Sequence, residues 1–240
     1  MNNSIATISL SSLALSLTPA LLVLLIFTRW SLNITNSMYA LIRMLSQLLL
    51  VGYALAFIFE SQDSWLILLI LFIMCIASSW IALGSIKEHR TLLFKSAFFA
   101  IFLGGSLPLI LITQGVLSLS PWYAPHYMIP IAGMIFAGAM NSVSLAAERF
   151  HSELQNKTYI SARNIAFQAA MIPVINSLFA VGLVSLPGMM TGQILSGVSP
   201  FIAARYQIMV MAMLFGASGL STAFYLSFVK SFYSRLNYEL

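Results

Sequence analysis

Charge is scarce in this sequence. Of its 240 residues only 7% are Asp, Glu, Lys or Arg, whereas a soluble domain carries about 25% to keep its surface wetted. A deficit of this size excludes a water-facing globular surface and assigns most of the exterior to lipid. Acids are scarcer still: there are six, and none falls inside a long apolar run. Proton- and sodium-coupled carriers usually place acids or a comparable relay at membrane depth, so that class is disfavoured. The last apolar run has no lysine before Lys230 at its end, which leaves no mid-membrane amine for a retinal Schiff base. Cys75 is the only cysteine; no internal disulfide can form, and its apolar setting marks it as an inert core thiol. G-x-x-x-x-G-K-[ST], G-x-S-x-G and H-E-x-x-H do not occur, so no hydrolytic motif is present and the chain is not expected to be an enzyme. His89, His126 and His151 fall in three separate loops without a metal-ligand spacing.

What is abundant is apolar: 60% of the residues are hydrophobic. A membrane span needs roughly 20 mostly apolar residues to cross about 30 Å of hydrocarbon. The pattern predicts an all-α polytopic integral membrane protein with about seven spans, at Leu10–Phe27, Met38–Phe59, Trp65–Leu83, Ser96–Leu117, Met128–Ala146, Ile165–Leu186 and Tyr206–Val229. The loops are short and carry no linker or repeat, so one domain over 1–240 is expected. No basic residue precedes the first run and no convincing cleavage site follows it, which favours a retained span over a signal peptide. Net charge is +5, but the bases are spread through short loops without the stripe a nucleic-acid surface needs. Cytoplasmic loops collect Lys and Arg. With the N-terminus outside and the C-terminus inside, Arg29, Lys87, Arg90, Lys95, Arg149, Lys157, Arg163, Lys230 and Arg235 all lie in or beside cytoplasmic segments. Only Arg43 and Arg205 depart from this.

Polar and helix-breaking positions within the runs are the candidates for function. Arg43 stands about one turn into the second span, either snorkelling to lipid phosphates or contacting a neighbouring helix. Gln47, one turn deeper on the same face, is suited to an interhelical hydrogen bond. Gly133, Ala137 and Asn141 recur every four residues and make a flat face for close helix packing. The segment from Gly182 to Pro200 is dense in glycine and proline yet almost uncharged. Such backbone ends the sixth helix near Leu186, and it forms either a plain loop or a re-entrant, pore-lining turn. A close backbone approach is expected at Gly188. The methionines, Met189 and Met190 among them, serve either as flexible packing or as soft metal contacts.

Several stretches resemble the FetB-type permeases of ATP-binding-cassette transporters, which include bacterial iron exporters and plant aluminium-tolerance membrane proteins. They are Arg43 with Gln47-Leu-Leu-Leu-Val-Gly-Tyr53, Pro121-Trp122-Tyr123, Ile129-Pro-Ile-Ala-Gly-Met134, Met140-Asn141, Ile172-Pro173, Asn176-Ser177, Tyr206-Gln-Ile-Met209 and Leu220-Ser-Thr222. Above all there is Val181-Gly-Leu-Val-Ser-Leu-Pro-Gly-Met-Met-Thr-Gly-Gln193. The resemblance implies a permease subunit of a bacterial inner membrane that exports a metal ion such as iron. It implies a homodimer paired with a separate ATPase that binds the ATP; no cofactor is expected in this chain. The candidate translocation path comprises Arg43, Gln47, Asn141, Asn176, Pro187, Gly188, Met189, Met190 and Gln193. Candidate ATPase docking residues are Glu148, Arg149, Glu153 and Arg163. Two departures stand out. Ala137-Gly138 replaces the Gly-Asn that such permeases carry before Ala-Met-Asn. The loop after Glu153 also runs straight to Arg163 without the Leu-Gly-Ala turn, which leaves a divergent, uncoupled accessory protein as the alternative.

Overall fold

The computed structural model describes residues 8–61, 63–86, 89–230 and 233. Lys87 and Arg235, used above for orientation, lie outside them. The chain divides into two compact units, residues 1–61 and 62–240. Regular structure among the described residues is helical, apart from a single bridge between Val181 and Ser185. Six helical stretches are long and apolar enough to cross a membrane, and the apolar surface they expose is what lipid, not water, would cover.

The first unit holds α1 (Leu10–Ser16), α2 (Thr18–Arg29) and α3 (Ile34–Glu60). Pro19 sits in the first turn of α2, where a missing N–H costs nothing. Asn33 caps α3 by accepting from the Thr35 amide at 3.0 Å. None of the three helices buries a residue within the chain.

The second unit contains α4 (Ser64–Ala82), α5 (Arg90–Ile110), α6 (Pro125–Leu154), α7 (Tyr159–Ala180), α8 (Gly188–Leu195) and α9 (Pro200–Phe228). α6 packs on α4, α5, α7 and α9, while α9 packs on α5, α6, α7 and α8, so these two form the centre. Their contacts are built from small residues, among them Ala97, Ala100, Ala132, Ala139, Ala166 and Ala217, all fully buried. Lipid provides no hydrophobic drive between helices, so close backbone approach supplies the packing. At its tightest, a Cβ on Gly104 of α5 would overlap Ser221 of α9. Pro108 then withdraws the donor that Gly104 O would use, and the helix widens into a π-helical segment, Leu111–Val116.

The basic ends of α4–α7 and α9 are pinned by polar and ring contacts. Arg90 donates to Trp80 O at 2.6 Å with its guanidinium 4.0 Å over the Trp80 ring. Tyr159 Oη donates to Leu226 O at 2.8 Å, joining α7 to α9. His151 Nδ1 lies 3.1 Å from Tyr233 Oη.

Two expectations change in detail. The sixth span, placed at Ile165–Leu186, is helical only to Ala180. Gly182 adopts φ +83°, a left-handed conformation that turns the chain, and Ala180 O collects the amides of Leu183, Val184 and Ser185. Helix α7 is also absent from the six apolar candidates, because Arg163, Asn164, Gln168, Asn176 and Ser177 dilute it.

Candidate functional site: a polar crevice between α6, α7 and α9

A mid-membrane polar path needs side chains that do not satisfy one another. Among the described residues, four buried oxygens on α9 have no hydrogen-bond partner: Gln207 Oε1, Ser218 Oγ, Ser221 Oγ and Thr222 Oγ1. Spacings of 11, 14 and 15 from Gln207 place them on one side of the helix. Each such orphan costs about 1–3 kcal/mol unless water, an ion or a polar ligand meets it.

Ser218 opens into a crevice of about 190 Å³ between α6, α7 and α9. At about 30 Å³ per water this holds roughly six waters. Asn141 and Ser142 contribute from α6, Pro173 and Ser177 from α7, and Met211 and Ser218 from α9. Pro173 has no N–H, so Ala169 O loses its helical donor at this level. Ser177 Oγ turns back to donate to Pro173 O at 2.9 Å, which leaves that hydroxyl as an acceptor. The donors are thus an amide, hydroxyls and a thioether, with no ionised group. Gly138 forms part of the wall, and a Cβ there would stand 3.3 Å from Ser218 Oγ. A larger cavity of about 500 Å³ between α4, α5 and α6 is walled by Leu68, Phe72, Phe102 and Phe136; its apolar lining suits no ion.

A family model described as an uncharacterised protein family, UPF0014, matches residues 10–162 and 156–233. The chain belongs to this family. Among UPF0014-related sequences, the "Probable iron export permease protein FetB" of Escherichia coli is 37% identical over 93% of this chain and 92% of its own length. A UPF0014 membrane protein of Synechocystis is 38% identical over 80% of each chain. The "Protein ALUMINUM SENSITIVE 3" of Arabidopsis thaliana is 31% identical over 87% of this chain and 81% of its own. No solved structure matches. The two family matches overlap at 156–162, across the α6–α7 turn and the start of α7. The Escherichia coli alignment spans 243 positions while covering 93% of 240 residues, so that relative has residues with no counterpart here.

Of the residues singled out from sequence in this UPF0014 member, Asn141 borders the crevice. Asn176 is exposed and outside it, although its neighbour Ser177 lines it. Pro187 caps α8, which carries Gly188, Met189, Met190 and Gln193; Gln193 Oε1 is buried without a partner. The close approach expected at Gly188 is absent: no described atom lies within 4 Å of a Cβ placed there. Arg43 and Gln47 stand one turn apart on α3 in the first unit, both exposed. Of the docking candidates, Arg149 pairs with Glu153 at 2.7 Å, and Lys157 joins the same carboxylate at 2.7 Å. Arg163 turns to Asn164 Oδ1 at 3.0 Å, and Glu148 is exposed.

Gln207, Ser142, Ser218 and Ser221 were not singled out from sequence for the path. Their signal, isolated polar residues at helical spacing in an apolar run, is weak, because serine in such a run usually bonds its own backbone.

Proposed function

We propose that this chain is the membrane-spanning permease subunit of an ABC-type transporter that exports a metal ion such as iron. Ser218 Oγ, a buried α9 oxygen without a partner among the described residues, stands at the α6–α7–α9 crevice and supports the reading most directly. A sealed structural bundle would have no reason to keep such groups unmet. The name of the Escherichia coli relative, a probable iron export permease, supports the substrate class. Two such chains form the membrane part in the bacterial inner membrane, N-terminus outside, and a separate subunit binds and hydrolyses ATP. The chain itself is not an enzyme and carries no resident cofactor. Transport follows from alternating exposure of the crevice, with Asn141 and Ser218 replacing part of the cargo's water. A neutral donor set binds a cation loosely enough to release it. The test is co-reconstitution with a candidate ATPase subunit in liposomes. Metal-stimulated ATP hydrolysis together with metal movement supports the reading. An ATPase that binds yet drives no metal movement overturns it.

A second reading, an uncoupled accessory protein, is favoured by one observation. The α6–α7 connection is only the turn 155–158, and its Arg149–Glu153–Lys157 charges are engaged with each other. Failure of every ATPase to co-purify, with rescue on inserting a relative's loop, would establish that reading.

A further inference from the structure

A second feature on α7 and α9 lies outside the crevice. On this other side the two helices leave a groove that changes character along its length. Its apolar part, about 660 Å³, is floored by Gly216, Gly219 and Ala223 and walled by Phe167, Ile172 and Phe215. At the basic end it continues through the shared residues Phe167, Gln168 and Ala223 into a second section of about 370 Å³ lined by Arg163, Asn164 and Ser227. Two cations stand at that end. Arg163 Cζ lies 5.9 Å and Lys230 Nζ 5.4 Å from the centre of the same ring, Tyr159. Gln168, between the two sections, is exposed and has no hydrogen-bond partner among the described residues.

We infer that this groove is a binding site for one anionic phospholipid. The order of chemistry along it is that of the molecule: two cations for the phosphate, an unengaged amide for the glycerol ester, then an apolar slot for an acyl chain. From Arg163 to Ile175 the helix rises ~18 Å, close to the depth of one leaflet, about 15 Å. Basic pockets between membrane helices attract anionic headgroups because the lipid surface concentrates negative charge there. Glu153, the acid nearest to Arg163 in sequence, is engaged by Arg149 and Lys157 and does not neutralise it. Gly216 leaves the slot deep: nothing lies within 4 Å of a Cβ placed there.

The experiment is native mass spectrometry of the whole chain released from mixed vesicles of phosphatidylglycerol and phosphatidylcholine. The wild type is expected to retain phosphatidylglycerol at least tenfold over phosphatidylcholine. The Arg163→Gln, Lys230→Gln double variant should bring the two lipids to parity. Gly216→Leu, which meets open space and so leaves the fold intact, should lose retention of both by at least tenfold. Inorganic phosphate added at the same concentration should displace neither. Equal retention in the wild type, an unchanged preference in the double variant, or displacement by phosphate would overturn the site. So would a Gly216→Leu chain that keeps its lipid while turning from dimer to monomer, which would assign the groove to a second copy. The readout involves no transport, so its failure leaves the permease reading untouched.

Discussion

Ser218 on α9 and Gly138 on α6 face each other across the crevice, with only 3.3 Å between the Ser218 hydroxyl and the place a Cβ at position 138 would take. The hydroxyl has no partner among the described residues. The resemblance to FetB-type permeases implies an amide at position 138, where this chain has glycine.

Ser218→Ala is therefore expected to raise stability by about 1 kcal/mol, since it removes a buried unmet hydroxyl, while lowering metal export. In a Gly138→Asn background the gain should vanish, because the amide then partners the serine. Thermal unfolding in detergent and efflux from loaded vesicles measure the two effects. A destabilised Ser218→Ala would mean that the hydroxyl is bonded after all.

Gly104→Ala should cost about 2 kcal/mol, because the added carbon overlaps Ser221 backbone and α5 must move off α9. Gly216→Ala, also on a membrane helix but facing open space, should leave the unfolding temperature unchanged or raise it. Equal shifts for the two variants would refute the close contact.

The turn after α7 separates conformation from contact. Gly182→Ala is expected to destabilise by about 1–2 kcal/mol because φ is +83° there. A Cβ at position 188 meets nothing within 4 Å, so Gly188→Leu should fold with an unchanged melting temperature while impairing export if α8 borders the path. Normal export by a well-folded Gly188→Leu removes α8 from the path.

Glu153 lies beyond the expected span, and the hydrogen bond from Lys157, followed by the charge of Arg149, holds its carboxyl below the ordinary 4.5. A depressed carboxyl stabilises the folded form above its unfolded pKa, and that contribution is lost as pH falls through the lower folded value. Protection of the 154–158 amides, taken relative to their intrinsic exchange rates at each pH, should thus fall below pH 4.5. Glu153→Gln should exchange faster at neutral pH and show no such step. A step that persists in the variant would assign it to another group.

Helix positions were readable because a long apolar run has few alternatives in a bilayer. Met38–Phe59 lies within α3 and Met128–Ala146 within α6, and Tyr206–Val229 overruns α9 by only its last residue. Ends were less readable: α6 continues to Leu154 and α5 begins at Arg90, since a helix does not stop where hydrocarbon stops. Leu186 was mistaken for the end of α7 because Leu183, Val184 and Leu186 prolong the apolar run. The chain actually turns at Gly182, whose left-handed backbone leaves no mark in hydropathy.

Among the residues bordering the crevice, Asn141 was legible because an amide in an apolar run is conspicuous. Ser218 was not. Whether a serine bonds its own helix, as Ser177 does to Pro173 O, or is left facing a void depends on what the neighbouring helices present.

Composition and apolar run length alone established a helical membrane protein, because burying backbone polar groups in lipid permits little else. Only the packing of α6, α7 and α9 decided where polar atoms go unmet. That outcome turns on which side chains three helices bring to one level, and Gly138, Pro173 and Ser218 are far apart in the chain.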